Sequence, residues 1–167
     1  DAAGHPTGAL HDGAMRLVGR HLPATSTADL TDDLLAAQAY LHSLGITSWQ
    51  DACVGPADEL GIPDAYEAYR RAAADGLLTS HVTAALWWDR TRGLTQLEDL
   101  LTRREQARDG RFRATTVKLM LDGVCETGTA AMSASYLDGH GHSTGHSGKL
   151  FIEPDALTHI EHRSGRG

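Results

Sequence analysis

A lysine inside an apolar stretch has the most specific chemical potential in this sequence. Lys118 lies in Val117-Lys-Leu-Met-Leu-Asp-Gly123, where strand alternation places Val117, Leu119 and Leu121 on one face and Lys118 on the other. An ammonium buried there is costly, whereas a neutral lysine amine can add carbon dioxide to form a carbamate that bridges two metal ions. Lys118 is therefore a candidate metal-site residue. The alternative is a solvent-facing lysine on an open sheet.

The basic residues of the chain favour a role that needs an amine. Only two of the 15 basic residues are lysines, Lys118 and Lys149, so arginine is the usual cation here. Arginine cannot form the carbamate because it stays protonated. A lysine within an apolar strand of such a chain supports the metal-site interpretation.

Three aspartates form a second candidate set. Asp51, Asp89 and Asp122 each directly follow a stretch that predicts a strand. Parallel α/β folds carry their active face at the carboxyl ends of the strands, so we interpret these carboxylates as candidate substrate-binding residues or metal ligands. Aspartate is also common after strands because it caps turns and helices, which is the alternative for each one taken singly.

A histidine-rich segment has the composition of a metal ligand set. It reads His140-Gly-His-Ser-Thr-Gly-His146. Such a Gly-rich segment has no fixed geometry of its own, so metal binding would have to overcome the entropy lost in ordering it. We expect a solvated loop here rather than a native metal site.

Helix and strand patterns alternate along the chain. Apolar spacing predicts helices over residues 9–19, 27–44, 63–77 and 95–108 and from residue 154 onward. Runs of β-branched and aromatic residues predict strands over residues 46–50, 80–88 and 112–121. Residues 122–148 predict a long loop, rich in Gly, Ser, Thr and His.

The alternation predicts an α/β fold with parallel strands. Each βα unit takes about 35 residues, a rhythm typical of right-handed crossovers. A closed (β/α)8 barrel typically needs about 250 residues, so three strands form either a small open sheet or a partial TIM-type barrel that is not closed. No linker interrupts the pattern, and residues 1–167 are predicted to be a single domain.

Charge and hydropathy exclude several classes of partner. The formal net charge of −7 argues against nucleic acid or an anionic membrane surface, which need clustered Lys and Arg. The longest apolar runs fall far short of the roughly 20 residues of a membrane helix. We expect a cytoplasmic protein.

Five motifs in the same order give the chain a family resemblance. It resembles the YtcJ-like branch of the amidohydrolase superfamily, which includes N-substituted formamide deformylases, from about residue 4 to about residue 160. The motifs are Pro6-Thr-Gly-Ala-Leu, Gly45-Ile-Thr-Ser-Trp-Gln-Asp-Ala52, Ala84-Ala-Leu-Trp-Trp-Asp89, Val117-Lys-Leu-Met-Leu-Asp-Gly123 and Thr129-Ala-Ala131. Each is weak alone, but their combination is specific.

The resemblance implies a metal-dependent hydrolase with a TIM-like barrel. Such enzymes use divalent metal, usually zinc, to activate a water that attacks an amide or related C–N bond. Lys118 matches the family's carboxylated lysine on a barrel strand. The family's His-x-His pair would precede residue 1, and its later histidines and metal-binding aspartate would follow residue 167. The resemblance therefore implies no bound metal and no activity in this chain alone.

Two hypotheses of different class remain. The first is an internal piece of a metal-dependent amidohydrolase. The second is a free-standing α/β binding or interaction module without catalysis. A piece of a barrel should expose apolar surface and sheet edges, whereas an independent module should have a closed core.

Overall fold

The computed structural model describes residues 5, 8–10, 12–57, 60–108 and 110–164. Short 3-10 turns lie at Asp12–Met15, Gly93–Gln96 and Cys125–Thr127. The helices and strands of this part are α1 (Arg16–Gly19), α2 (Thr27–Ser43), β1 (Ser48–Val54), α3 (Tyr66–Ala74), β2 (His81–Trp87), α4 (Leu97–Gln106), β3 (Phe112–Lys118) and α5 (Pro154–Ser164).

Two compact units share the chain. The α/β unit holds the described residues of 23–58 and 62–119, and therefore all three strands with α2, α3 and α4. The loop unit holds the described residues of 1–22, 59–61 and 120–166. Each is described by itself below.

The three strands form one open parallel sheet in the order β1-β2-β3. This confirms the predicted order and direction. Each pair of strands is joined through a helix, as in successive units of a (β/α) barrel. The α/β unit thus has the architecture of a partial, unclosed TIM-type barrel.

Both outer strands carry one extra residue at the same level of β2. In β1 the pairing steps from Asp51 with Ala84 to Val54 with Leu86. In β3 it steps from Arg113 with Thr83 to Thr116 with Ala85. Such bulges bend a strand and increase its twist, which suits a sheet that curls toward a barrel.

The buried core lies between the sheet and helices α3 and α4. Val82, Ala84 and Leu86 alternate along β2 and are each almost fully buried. In β3, Phe112 stacks on the ring of Tyr69 with centroids 4.9 Å apart and meets the edge of Tyr66 at 5.7 Å. Aromatic pairs at these separations add directional packing to area burial.

Polar side chains cap the start of helix α2 and anchor the helix to the chain before β2. Ser26 and Asp29 form a capping box at its start. Gln38, 7% exposed, accepts hydrogen bonds from the N–H groups of Thr79 and Ser80 and donates one to the carbonyl of Leu77. These bonds tie α2 to the turn that leads into β2.

The carboxyl ends of β1 and β3 differ most from the predicted strand boundaries. β1 extends to Val54, four residues beyond the predicted end, and β3 ends at Lys118, three residues before it. In β1 the bulge allows pairing to continue beyond Asp51. Beyond β3, the carbonyl of Leu121 accepts a hydrogen bond from the N–H of Phe151, a partner outside the sheet.

The loop unit is more ordered than its composition suggests. The carbonyl of Val124 accepts hydrogen bonds from the N–H groups of Thr127, Thr129 and Ala130, which closes a tight turn.

Within the described ranges, no helix has the length and apolar character needed to cross a membrane.

Candidate functional site

Lys118 is the last residue of β3 and is exposed. Its register partner is Trp87, and its carbonyl accepts a hydrogen bond from the N–H of Trp88. The preceding residue, Val117, pairs with Leu86, which belongs to the buried helix-facing row of β2. Because neighbouring residues in a strand alternate, Lys118 projects from the face opposite the helices.

The same face carries both small and aromatic side chains beside Lys118. Ala85 and Trp87, two residues apart on β2, are almost fully buried, and Thr116 pairs with Ala85. The Thr116 hydroxyl donates to the carbonyl of Ala84. Lys118 thus lies at the carboxyl end of β3, in register with Trp87 at the end of β2.

The apolar pattern around Lys118 differs from the predicted one. Val117 is 38% exposed and Leu121 is 40% exposed, so neither is deeply buried. Leu119 and Leu121 lie beyond the end of β3, and strand alternation does not apply to them. The prediction that these residues form one buried face of the strand was wrong.

Asp51 lies in the middle of β1, so the prediction that it follows a strand end was wrong. Its carboxylate accepts hydrogen bonds from the Tyr69 hydroxyl of α3 at 3.0 Å and from the N–H of Cys53 at 3.0 Å. Tyr69 also accepts a hydrogen bond from Trp49 Nε1 at 3.4 Å. The Asp51 carboxylate therefore faces the helix layer.

The Tyr69 phenol is a permanent donor in this network. Burial is the main cause that raises its pKa, and the hydrogen bond from Trp49 opposes that shift. The Asp51 carboxylate raises the pKa further, because the phenolate form would repel it. Tyr69 therefore stays protonated and donates to Asp51.

Asp89 follows β2 by two residues and is held by its own turn. Its Oδ1 accepts from the N–H of Thr91 at 2.7 Å and from the Thr91 hydroxyl at 2.6 Å. Partial burial acts to raise the pKa of Asp89, but the hydrogen bonds from Thr91, together with the N–H and the charge of Arg92, lower the pKa overall. This arrangement is the turn cap that was the alternative to a binding role.

A buried glutamine fixes the backbone at Asp89. Gln96, 1% exposed, accepts from the N–H of Asp89 at 2.9 Å and donates to its carbonyl at 2.7 Å and to that of Gly93 at 2.8 Å. Sequence reasoning missed Gln96 because a glutamine at a helix start carries no signal of burial. It also missed Tyr69, whose position predicted only a packing face.

Asp122 belongs to the loop unit. Its Oδ2 accepts a hydrogen bond from the N–H of Ala131 at 3.0 Å, which closes a loop of the same unit. The structure thus places Asp51 within a strand, Asp89 in a turn after β2 and Asp122 in a loop closure. Each carboxylate accepts at least one hydrogen bond from a residue of its own unit.

No group of three or more His, Cys, Asp or Glu side chains is arranged to hold a metal ion among the residues that the structure describes. Lys118 is therefore not accompanied by a complete ligand set in this part of the chain. The metal that the family resemblance implies does not fit these residues alone.

Comparison with known proteins gives a family and a fold. The model of the amidohydrolase family matches residues 1–156. An uncharacterized metal-dependent hydrolase from Pyrococcus furiosus superposes with a TM-score of 0.65 at 22% identity, covering 91% of this chain and 29% of that one. One from Pyrococcus horikoshii OT3 gives 0.66 at 23% identity, covering 91% and 28%. The chain thus spans less than a third of either structure. No curated protein matches it.

Proposed function

The chain belongs to the amidohydrolase family, and from that membership we propose that it is part of a metal-dependent hydrolase that cleaves a C–N bond. The substrate is a small molecule with an amide or formamide-type bond, as in the YtcJ-like branch that its motifs resemble. In the complete enzyme a divalent metal, zinc by preference, would supply an activated water for the attack, and Lys118 is the residue of this chain that would help to hold it. The enzyme works in the cytoplasm.

The position of Lys118 is the observation that carries this proposal. It ends β3 on the face away from the helices, beside Trp87 and Thr116. In a barrel that face is the interior, and the carboxyl ends of the strands form the active rim. A lysine there has the chemistry to bind metal as a carbamate.

The chain's own residues leave the catalytic set incomplete. Lys118 is one ligand, and a stable divalent site needs several that converge from different elements. We therefore propose that this chain alone is inactive and binds no metal at Lys118. The substrate-binding roles of Asp51, Asp89 and Asp122 stay predictions, and the hydrogen bond from Tyr69 holds the Asp51 carboxylate toward the helix layer.

Substitution of Lys118 in the full-length enzyme tests the proposal. Lys118→Arg keeps the positive charge but cannot form a carbamate, so both bound metal and formamide or amide hydrolysis should be lost. Metal content by elemental analysis and turnover of N-substituted formamides are the two readouts.

The second lysine supplies the matched control. Lys149 is exposed in the loop unit, so Lys149→Arg should leave metal content and turnover unchanged. If Lys118→Arg also left both unchanged, Lys118 would be a structural lysine and its proposed role would be wrong.

A further inference from the structure

The sheet face that points away from the helices divides into a covered half and an exposed half. Near the carboxyl ends of the strands, Ala85 is 5% and Trp87 4% exposed. Near the amino ends, Gln50, Thr83 and Arg113 are all exposed. These three residues are neighbours across the sheet, because Thr83 pairs with Gln50 on one side and with Arg113 on the other. They form the exposed inner row.

Neighbouring residues determine the direction of this row. Val82 and Ala84 flank Thr83, belong to the helix-facing row of β2 and are 1% and 0% exposed. Strand alternation therefore turns Thr83 away from the helices, and register partners share its face. Phe112, directly before Arg113, stacks in the aromatic core, which gives the same result for β3. The Arg113 guanidinium thus projects from the inner face.

The described part of the α/β unit offers Arg113 no negative partner. Asp51 is the only acidic residue in the sequences of the three strands, and its carboxylate accepts a hydrogen bond from Tyr69 in the helix layer. Arg113 forms no ion pair with any described residue. The other titratable side chains that the strands turn to this face, His81 and Lys118, are basic as well.

A closed barrel would remove the exposed inner row from water. The interior of such a barrel is a packed core in which side chains from all the strands form layers. The two hydrolase structures with the same fold extend well beyond this segment, since the chain covers 29% and 28% of them. A guanidinium stays charged, and a charge taken out of water is strongly destabilising unless an opposite charge pairs with it.

We propose that, in the complete barrel, Arg113 pairs with an Asp or Glu carboxylate carried by a segment outside residues 1–167. The planar fork of arginine fits a carboxylate with two parallel hydrogen bonds, which fixes the position of the docked segment. The exposed inner row is therefore an interface with the rest of the barrel. This inference rests on the barrel fold and goes beyond the hydrolase proposal, because it involves neither Lys118 nor bond cleavage.

Arginine modification of the full-length enzyme tests whether the row is covered. Phenylglyoxal reacts with exposed guanidinium groups, and mass spectrometry of the peptides locates the modified residues. Arg113 should be protected in the folded enzyme and modified after denaturation. Arg71 of α3 is the matched control, since its side chain is 63% exposed and should react in both states. Modification of Arg113 as fast as that of Arg71 in the folded enzyme would overturn the proposal.

Substitution tests whether the group opposite Arg113 is negative. Arg113→Met has a similar length without the charge and would leave a buried carboxylate unpaired, so the urea midpoint of the full-length enzyme should fall by roughly 0.5–1 M. Arg113→Lys keeps the charge and should recover part of that loss. Arg71→Met should leave the midpoint unchanged.

An unchanged or higher midpoint in Arg113→Met would overturn the proposal, because a neutral neighbour tolerates methionine. If Arg113→Met gives no folded enzyme, recovery of folded enzyme by Arg113→Lys supports the charge pair, whereas failure of both variants contradicts it. Neither readout uses turnover, so the failure of this inference and the failure of the hydrolase proposal are separate results.

Discussion

At the scale of single residues, Tyr69 joins the sheet to the helix layer through one phenol. It stacks on Phe112 while its hydroxyl donates to Asp51 and accepts from Trp49. The ring supplies packing, and the hydroxyl satisfies a carboxylate that is partly removed from water. The two contributions can be separated by removing the oxygen alone.

Tyr69→Phe should destabilise the α/β unit by about 1–3 kcal/mol, because Asp51 loses a donor while the aromatic stack is kept. Amide hydrogen exchange of β1 and α3 measures the change. Tyr40→Phe is the matched control, since Tyr40 is 66% exposed and should have no effect. Equal protection in both variants would mean that the Tyr69 hydroxyl contributes nothing.

A glycine of the loop unit is constrained by contact. A Cβ at Gly123 would lie 2.1 Å from Thr129 Oγ1 and 2.8 Å from the Thr129 carbonyl carbon. Gly123→Ala should therefore cost about 1–3 kcal/mol by overpacking, and the turn at Val124 should open. Faster proteolysis of residues 122–131 would report it. Gly139→Ala is the control: a Cβ at Gly139 would meet no atom of a non-adjacent residue within 4 Å, so this change should leave the rate of proteolysis unchanged.

Residue types predicted which groups are candidates for chemistry, but not which residues those groups contact. The apolar pattern around Lys118 did not determine the direction of the lysine, which follows from the register of Val117 with Leu86 of β2. The partners of Asp51 and Asp89 were not predictable, because a hydrogen bond from Tyr69 or Gln96 spans elements whose relative placement no local pattern specifies.

At the scale of elements, α2 depends on a charge at its first turn. Asp29 accepts from the Ser26 hydroxyl and from the Ser26 N–H, and these bonds lower the pKa of Asp29 from its ordinary value. A lowered carboxyl pKa contributes stability above the unfolded pKa of about 4. That contribution is lost as the pH falls through the folded pKa.

Helicity at the start of α2 should therefore be constant from pH 7 to about 5 and fall below about 4. Exchange protection of residues 27–31 across this range measures it. Asp29→Asn should flatten the part of the profile that belongs to this cap. A profile identical in the two proteins would show that Asp29 does not stabilise the helix.

The order of the elements was predictable, whereas their ends were not. Period and composition predicted three parallel strands joined by helices. The bulges in β1 and β3 arise from pairing with β2 and leave no mark on local composition. Strand ends that depend on such pairing were consequently misplaced by three or four residues.

At the scale of the whole molecule, the open sheet leaves surface that a closed barrel would cover. Within the described residues, β1 and β3 each pair on one side only. In α2 and the turn that follows it, Tyr40 is 66%, Leu44 59% and Ile46 39% exposed. Exposed edges and apolar side chains of this kind promote association.

The isolated chain should accordingly form concentration-dependent oligomers or aggregates. Light scattering coupled to size exclusion over a range of micromolar concentrations measures this. Substitution of Tyr40 and Leu44 by Lys or Glu should reduce association without changing the sheet. A monomer with a single cooperative unfolding transition would contradict a barrel segment and favour an independent module.

The extra residue in β3 allows a spacing that a regular strand forbids. Phe112 and Lys118 are six positions apart, an even number, so an unbroken strand would turn both toward the same side. Here Phe112 enters the aromatic core and Lys118 projects away from it. The reason is that Thr116 follows Arg113 by three positions, whereas their partners on β2, Thr83 and Ala85, are two positions apart. The extra residue in β3 therefore determines the face of the sheet from which the Lys118 amine projects. Deletion of one residue from the bulge between Arg113 and Thr116 would leave Phe112 and Lys118 on their present faces. Deletion of one residue of β3 before or after the bulge would turn one of these two side chains to the other face.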